Sequence, residues 1–376
     1  MTCALVSKQW FSVVKERSKL SLLCKSIKKL QGEFLENIEN LRLERNNRFF
    51  DCQIIGLMKG LTVLSAENCI GTEGVKHICK MNNLTKLNIE RNEIGEEGAK
   101  YISKMKQLTE LNVGWNGIGK EGVEFISELK NLTLLEIEAC RICDEGAKSI
   151  SELKQLTHLN ISYNNISNLG SKYLTELKQL TVLTLCDCNI SEEGCKYISE
   201  LNQLTDLDIS NNDIGCNGVE YISGMKQLLF LYIYGTNMYP TELQKISEMK
   251  QVTNLNISWN YVGDEGAKYI SDMKQLTKLE VVRSDISTEG AKHISELKQL
   301  TDLNIGENNI GGEGAIAISK MNQLRILDIS DNNIGGIGAE HVSQMKQLTH
   351  LDISHNCIGN YGAKRINTMK LVFLSK

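Results

Sequence analysis

The chain has 376 residues, 41% of them hydrophobic, and a formal net charge of −4. That apolar content is enough for a core, and the mildly acidic balance favours neither nucleic acid nor an anionic membrane as partner. No apolar run approaches the ~20 residues of a membrane helix, the N-terminal stretch is too polar for a secretory leader, and a single proline, Pro240, argues against a proline-rich linker.

Residues 1–36 follow no period and are expected to form a short helical segment. Residues 37–60 hold Ile38-x-x-Leu41-x-Leu43-x-x-Asn46, a degenerate first repeat. From residue 61 to residue 370 a unit of 24 residues recurs about thirteen times. Leu84–Gln107 reads LTKLNIERNEIGEEGAKYISKMKQ, and the pattern returns from Leu108 as LTELNVGWNGIGKEGVEFISELKN. Self-similarity at this period marks a solenoid, in which each unit packs only on its neighbours. Residues 371–376 open a further unit, with Leu371 and Leu374 in its strand positions.

Within one unit, Leu84, Leu87 and Ile89 alternate as in a strand, and Asn92 and Ile94 follow in a tight loop. Gly98-Ala99 then opens a segment in which Ala99, Ile102 and Met105 recur at helical spacing. Stacked units give an α/β fold: a right-handed solenoid, or horseshoe, with a parallel sheet on the concave side and helices on the convex side. About seven aliphatic side chains per unit contribute on the order of 10–20 kcal/mol gross. The entropy of ordering the unit cancels most of that, so no unit stands alone.

The loop position reads Asn92, Asn116, Cys140, Asn164, Cys188, Asn212, Thr236, Asn260, Ser284, Asn308, Asn332, Asn356. Such side chains are expected to satisfy backbone carbonyls of the same or the next unit. The glycine equivalent to Gly98 is expected to serve either a positive φ or close packing. The unit from Leu228 departs most, with Glu242 in place of that glycine and Pro240 in its loop.

The pattern L-x-x-L-x-I-x-x-N-x-I resembles the leucine-rich-repeat family, in its ribonuclease-inhibitor-like branch and particularly its short GALA-type repeats. Ahead of it, Ala4-Leu5-Val6-Ser7-Lys8-Gln9-Trp10 is similar to the second half of an F-box. That resemblance implies an F-box/leucine-rich-repeat adaptor of an SCF-type ubiquitin ligase, with Leu5, Val6, Lys8 and Trp10 docking Skp1 and the repeats holding a substrate. The family's leading Leu-Pro helix is missing. The alternative is a capping helix on a ligase-independent scaffold or a ribonuclease-inhibitor-like regulator.

A protein partner is expected on the concave face, where side chains vary between units while the core does not. Its aromatic candidates are Trp115, Tyr163, Phe230, Tyr232, Tyr234 and Trp259, with His158 nearby. Exposed aromatics are favoured as interface anchors. Its acidic candidates are Asp206, Asp208, Asp328 and Asp352, in a set where acids outnumber bases such as Lys86, Arg91, Lys278 and Arg283. A basic partner segment would be steered there.

No nucleotide-binding or nucleophile motif occurs. The chain is expected to be no enzyme and to need no cofactor or metal, although His350, Asp352 and His355 form its best polar constellation. Cys140/Cys143 and Cys186/Cys188 lack a second pair at zinc spacing. The twelve cysteines recur at no fixed position, which suits reduced thiols and a cytoplasmic or nuclear setting.

Overall fold

The computed structural model of the chain describes residues 20–24, 35, 38–43 and 52–375. It divides into two compact units, residues 1–180 and 181–376. The first holds strands β1 (Leu20–Cys24), β2 (Ile38–Leu43), β3 (Val63–Ser65), β4 (Lys86–Asn88), β5 (Glu110–Asn112), β6 (Leu134–Glu136) and β7 (His158–Asn160). The second holds β8 (Val182–Thr184), β9 (Asp206–Asp208), β10 (Phe230–Tyr232), β11 (Asn254–Asn256), β12 (Lys278–Glu280), β13 (Asp302–Asn304), β14 (Ile326–Asp328), β15 (His350–Asp352) and β16 (Phe373–Ser375). Within each unit the strands lie side by side in chain order, and a short helix follows nearly every strand. Pairing is parallel and in step with the repeat: Leu87 faces Leu111, and Leu303 faces Leu327. The α/β solenoid expected from the period is therefore the fold of each unit.

One repeat shows how the sequence encodes it. Leu84, Leu87, Ile89, Ile94, Ala99, Ile102 and Met105 are all at most 2% exposed. The helix, however, runs Gly95–Ile102, starting before Gly98-Ala99 and ending before Met105. Gly95, at φ +55°, makes the turn into it. Gly98 serves close packing: a Cβ there would lie 2.4 Å from the Ile94 Cβ. In the divergent unit, helix Pro240–Ile246 begins with the proline, whose missing N–H is harmless at a helix start. Glu242, in the glycine's place, accepts the Tyr239 N–H at 3.0 Å and the Cys216 thiol at 2.8 Å.

Two further expectations need correction. Leu20–Cys24 lies in the stretch expected to be helical, yet it is a strand paired in parallel with Ile38–Leu43. An open sheet edge presents unpaired N–H and C=O groups, and a neighbouring segment that takes them up becomes a strand. The second concerns the loop asparagine, which serves its own and the preceding unit. Asn92 Nδ2 donates to Ile89 O and Ala66 O, both at 2.8 Å, and Oδ1 accepts the Cys69, Ile70 and Gly71 N–H groups. Cys140 keeps one such bond, Sγ to Val113 O at 3.1 Å. The F-box-like residues Leu5, Val6, Lys8 and Trp10, the rival capping helix over them, and Asn46 lie outside the described residues.

Candidate functional site

Strands β3 to β15 bury their central leucine and leave the residues on either side half-exposed or exposed, as in Phe230-Leu231-Tyr232. Parallel register then gathers the outward side chains into rows. In the second unit Asp206, Phe230, Asn254 and Lys278 share one row, and Asp208, Tyr232, Asn256 and Glu280 share the next. Tyr234 stands two residues beyond Tyr232, half-buried, its hydroxyl 3.2 Å from Cys186 Sγ and 3.3 Å from Asn211 Nδ2. Burial, followed by the Asp206 carboxylate, pushes the Tyr232 hydroxyl pKa up. Burial likewise raises Asp208. Phe230, Tyr232 and Tyr234 therefore form one patch, bordered by Asp206 and Asp208.

Trp259 stands on the rim of the next repeat. It is 51% exposed, and the Arg283 guanidinium lies 4.3 Å from its ring centroid. Its backbone has φ +56°. The same rim position is left-handed in Arg91, Trp115, Ala139 and Tyr163 of the first unit. It is left-handed again in Asp187, Asn211, Gly235, Arg283, Glu307, Asp331 and His355 of the second. The repeat imposes this conformation, which costs an L-residue roughly 1–2 kcal/mol and suits Gly or Asn. Tryptophan and tyrosine are poor choices there for stability. No feature of the sequence reveals that backbone angle, because its occupants share no chemistry.

Trp115, His158 and Tyr163 belong to the first unit. Trp115 and Tyr163 ring centroids lie 6.2 Å apart, and Arg91 covers Trp115 at 5.0 Å. Trp115 Nε1 donates to Glu138 at 3.0 Å. Burial first, then Glu138 and Glu90, raises the Glu136 carboxyl. His158 is exposed on β7, with Nδ1 2.8 Å from Thr157 Oγ1. That hydroxyl also donates to Thr133 O at 3.0 Å. The candidates thus form two sets, one in each unit.

The aspartates have a structural duty as well. Asp328 Oδ1 accepts the Ser330 N–H at 3.0 Å and its hydroxyl at 2.6 Å. Asp352 binds Ser354 at the same two distances, and Asp208 accepts the Ser210 N–H at 3.0 Å. Asn88, Asn112, Asn256 and Asn304 make the equivalent backbone bond in their own repeats. This position is therefore a second ladder that closes the strands in which it is Asp or Asn, whereas Tyr232 and Glu280 occupy it in β10 and β12. Aspartate differs from asparagine there by presenting a charged second oxygen instead of an amide.

The polar constellation near the last repeats is engaged in the same way. His350 Nδ1 lies 3.0 Å from Thr349 Oγ1, its ring stacks on Phe373 at 6.3 Å, and His355 sits on the left-handed rim. Cys143 donates to Glu145 at 2.9 Å, apart from Cys140. Among the described residues no three His, Cys, Asp or Glu side chains gather as a metal site. Burial pushes the Cys195 thiol up to about 12.

The leucine-rich-repeat region pattern matches residues 99–315, and further leucine-rich-repeat patterns match 80–103 and 322–367. The chain belongs to the leucine-rich-repeat family. The comparison with curated proteins yields no match. Among solved structures the chain is similar to an internalin of Listeria monocytogenes, with 21% identity and a TM-score of 0.57 over 85% of this chain and 88% of that one. It is also similar to a leucine-rich-repeat protein of Leptospira interrogans, with 21% identity and a TM-score of 0.52 over 94% and 100% of the two chains. At that identity the likeness is one of fold.

Proposed function

We propose that the chain is a protein-binding module whose second unit grips a partner segment with Phe230, Tyr232, Tyr234 and Trp259, beside Asp206 and Asp208. One observation carries this reading. Trp259 stands half-exposed at a backbone position that favours Gly or Asn, so its side chain is retained against local stability. Aromatic side chains of this kind anchor interfaces by filling a partner's pockets. The test is a photo-crosslinking amino acid at position 232, compared with one at Lys268 on the exposed side of helix Gly263–Ile270. A protein adduct should form from position 232 and not from position 268. Equal adducts from both positions, or none from 232, would sink the reading.

The motif at Leu5, Val6, Lys8 and Trp10 extends this proposal to substrate recognition in an SCF-type ubiquitin ligase. Skp1 would dock on the N-terminal segment and the substrate on the sheet face, in the cytoplasm or nucleus. What supports this is the motif's position ahead of the repeats, together with buried free thiols such as Cys140 and Cys195 that suit a reducing compartment. Skp1 should co-purify with the full chain, and Trp10→Ala should release it. A chain that keeps its sheet-face partner without ever retaining Skp1 is a ligase-independent scaffold or inhibitor.

A further inference from the structure

A second groove on the same unit begins at β12, two strands along the sheet from β10. It has a volume of about 380 Å³ and runs across β12 to β16. Register sorts its lining into two parallel rows. One row carries Ile326, His350 and Phe373, with Ile326 41% and Phe373 54% exposed. The other carries Asp328 and Asp352, and Asp302 precedes Ile326 in the first row. The cation in the groove, Lys278, is paired with Glu280 at 2.7 Å. The three aspartates therefore keep a net negative charge beside an apolar strip.

Rows two residues apart along a strand are separated by roughly 6.5–7 Å. An extended segment laid across the strands, with its pleat parallel to the sheet, sends alternate side chains to opposite sides. One side would meet Ile326 and Phe373, and the other Asp328 and Asp352. We infer that this groove binds an extended protein segment in which lysine or arginine alternates with large apolar residues. The apolar strip supplies burial, and the carboxylates supply charge complementarity and register.

The repeats themselves supply clean variants. Asparagine already occupies the Asp328 and Asp352 position in β11 and β13, where it makes the same backbone bond. Asn254 already occupies the Ile326 position in β11. Asp328→Asn/Asp352→Asn and Ile326→Asn should therefore fold, which circular dichroism checks. The probes are fluorescein-labelled peptides: alternating (Lys-Leu)₃, the block isomer Lys₃Leu₃, and (Glu-Leu)₃. Fluorescence anisotropy should show the alternating basic peptide binding, more weakly as salt rises. Its affinity should fall about tenfold in the double aspartate variant and about fivefold in Ile326→Asn. Lys268→Ala, on the exposed side of helix Gly263–Ile270, should leave it within about twofold, since that side chain lies outside the groove lining. Equal binding of the block isomer, unchanged affinity in both variants, or no binding of the alternating peptide would each overturn the inference. The aromatic-patch reading survives any of these outcomes, because its crosslink is read at position 232.

Discussion

Asn260→Ala isolates the part of the molecule that carries stability. Asn260 is 3% exposed. Its Nδ2 donates to Ile233 O at 2.9 Å, Ile257 O at 3.0 Å and Ser258 O at 3.3 Å. Its Oδ1 accepts the Thr236 N–H at 3.1 Å and the Met238 N–H at 3.0 Å. Some partners have a second bond: the Thr236 hydroxyl also donates to Ile233 O, and the Gly235 N–H also reaches Ser258 O. Truncation therefore strips the Thr236 and Met238 N–H groups and Ile257 O. At roughly 1–3 kcal/mol for each buried group left unsatisfied, the loss is about 3–6 kcal/mol once partial hydration is allowed. With a urea m-value near 3 kcal/mol/M, the midpoint should fall by about 1–2 M. Urea unfolding followed by tryptophan fluorescence reads it, with Trp259 next in sequence as the local probe. A fall of less than about 0.3 M would refute the reasoning, because the ladder would then not be what holds neighbouring repeats together.

Three further outcomes rest on the ionisable groups. Asp264 accepts the Ser287 and Gly290 N–H groups at 2.9 and 2.8 Å, at the start of helix Thr288–Ile294. Burial opposes its charge, but these bonds and the Ser287 hydroxyl hold its pKa below the usual 3.8. A depressed carboxyl stabilises above its unfolded pKa and loses that contribution as pH falls through the folded one. Ser287→Ala should thus destabilise at pH 6, and below that folded pKa only the loss of its helix cap on the Glu289 N–H should remain, as thermal unfolding across pH will show. Asp208 carries the opposite sign, since burial raises it, so its ionised form is penalised in the folded state at neutral pH. Asp208→Asn should raise the urea midpoint at pH 7 and lose that gain once the carboxyl is protonated in both states; a loss of stability at pH 7 would contradict this. Cys195, raised by burial to about 12, should resist a thiol reagent at pH 8 until the chain unfolds, whereas exposed Cys357 should label at once, by mass spectrometry of the labelled peptides.

The fold was legible because a repeated pattern tests itself. A leucine at 84, 108, 132 and onward, with equivalents buried in every repeat, leaves one reading of the inward face. What the sequence concealed was backbone geometry and shared duty. Leu20–Cys24 is a strand through its pairing with Ile38–Leu43, a long-range contact with no local periodicity to announce it. The Gly98 position marks close packing, while the turn into that helix is made earlier, at Gly95. Asp208, Asp328 and Asp352 read as surface acids because their neighbours vary, although each also closes its own strand. The left-handed rim went unseen because Arg91, Trp115, Ala139 and Tyr163 are not residues that favour a positive φ. That hidden angle is what separates Trp259 from an ordinary surface aromatic.

The central claim is that the recurring positions hold the fold while the departures on the open sheet face hold the partner. The double variant Tyr232→Ala/Trp259→Asn tests it most directly, because asparagine suits the left-handed backbone at 259. Unfolding midpoint and partner crosslinking are measured on the same preparation, with the photoreactive residue placed at Phe230. The midpoint should stay within about 0.3 M urea of wild type, and the adduct should disappear. A large fall in midpoint, or an undiminished adduct, would contradict the account.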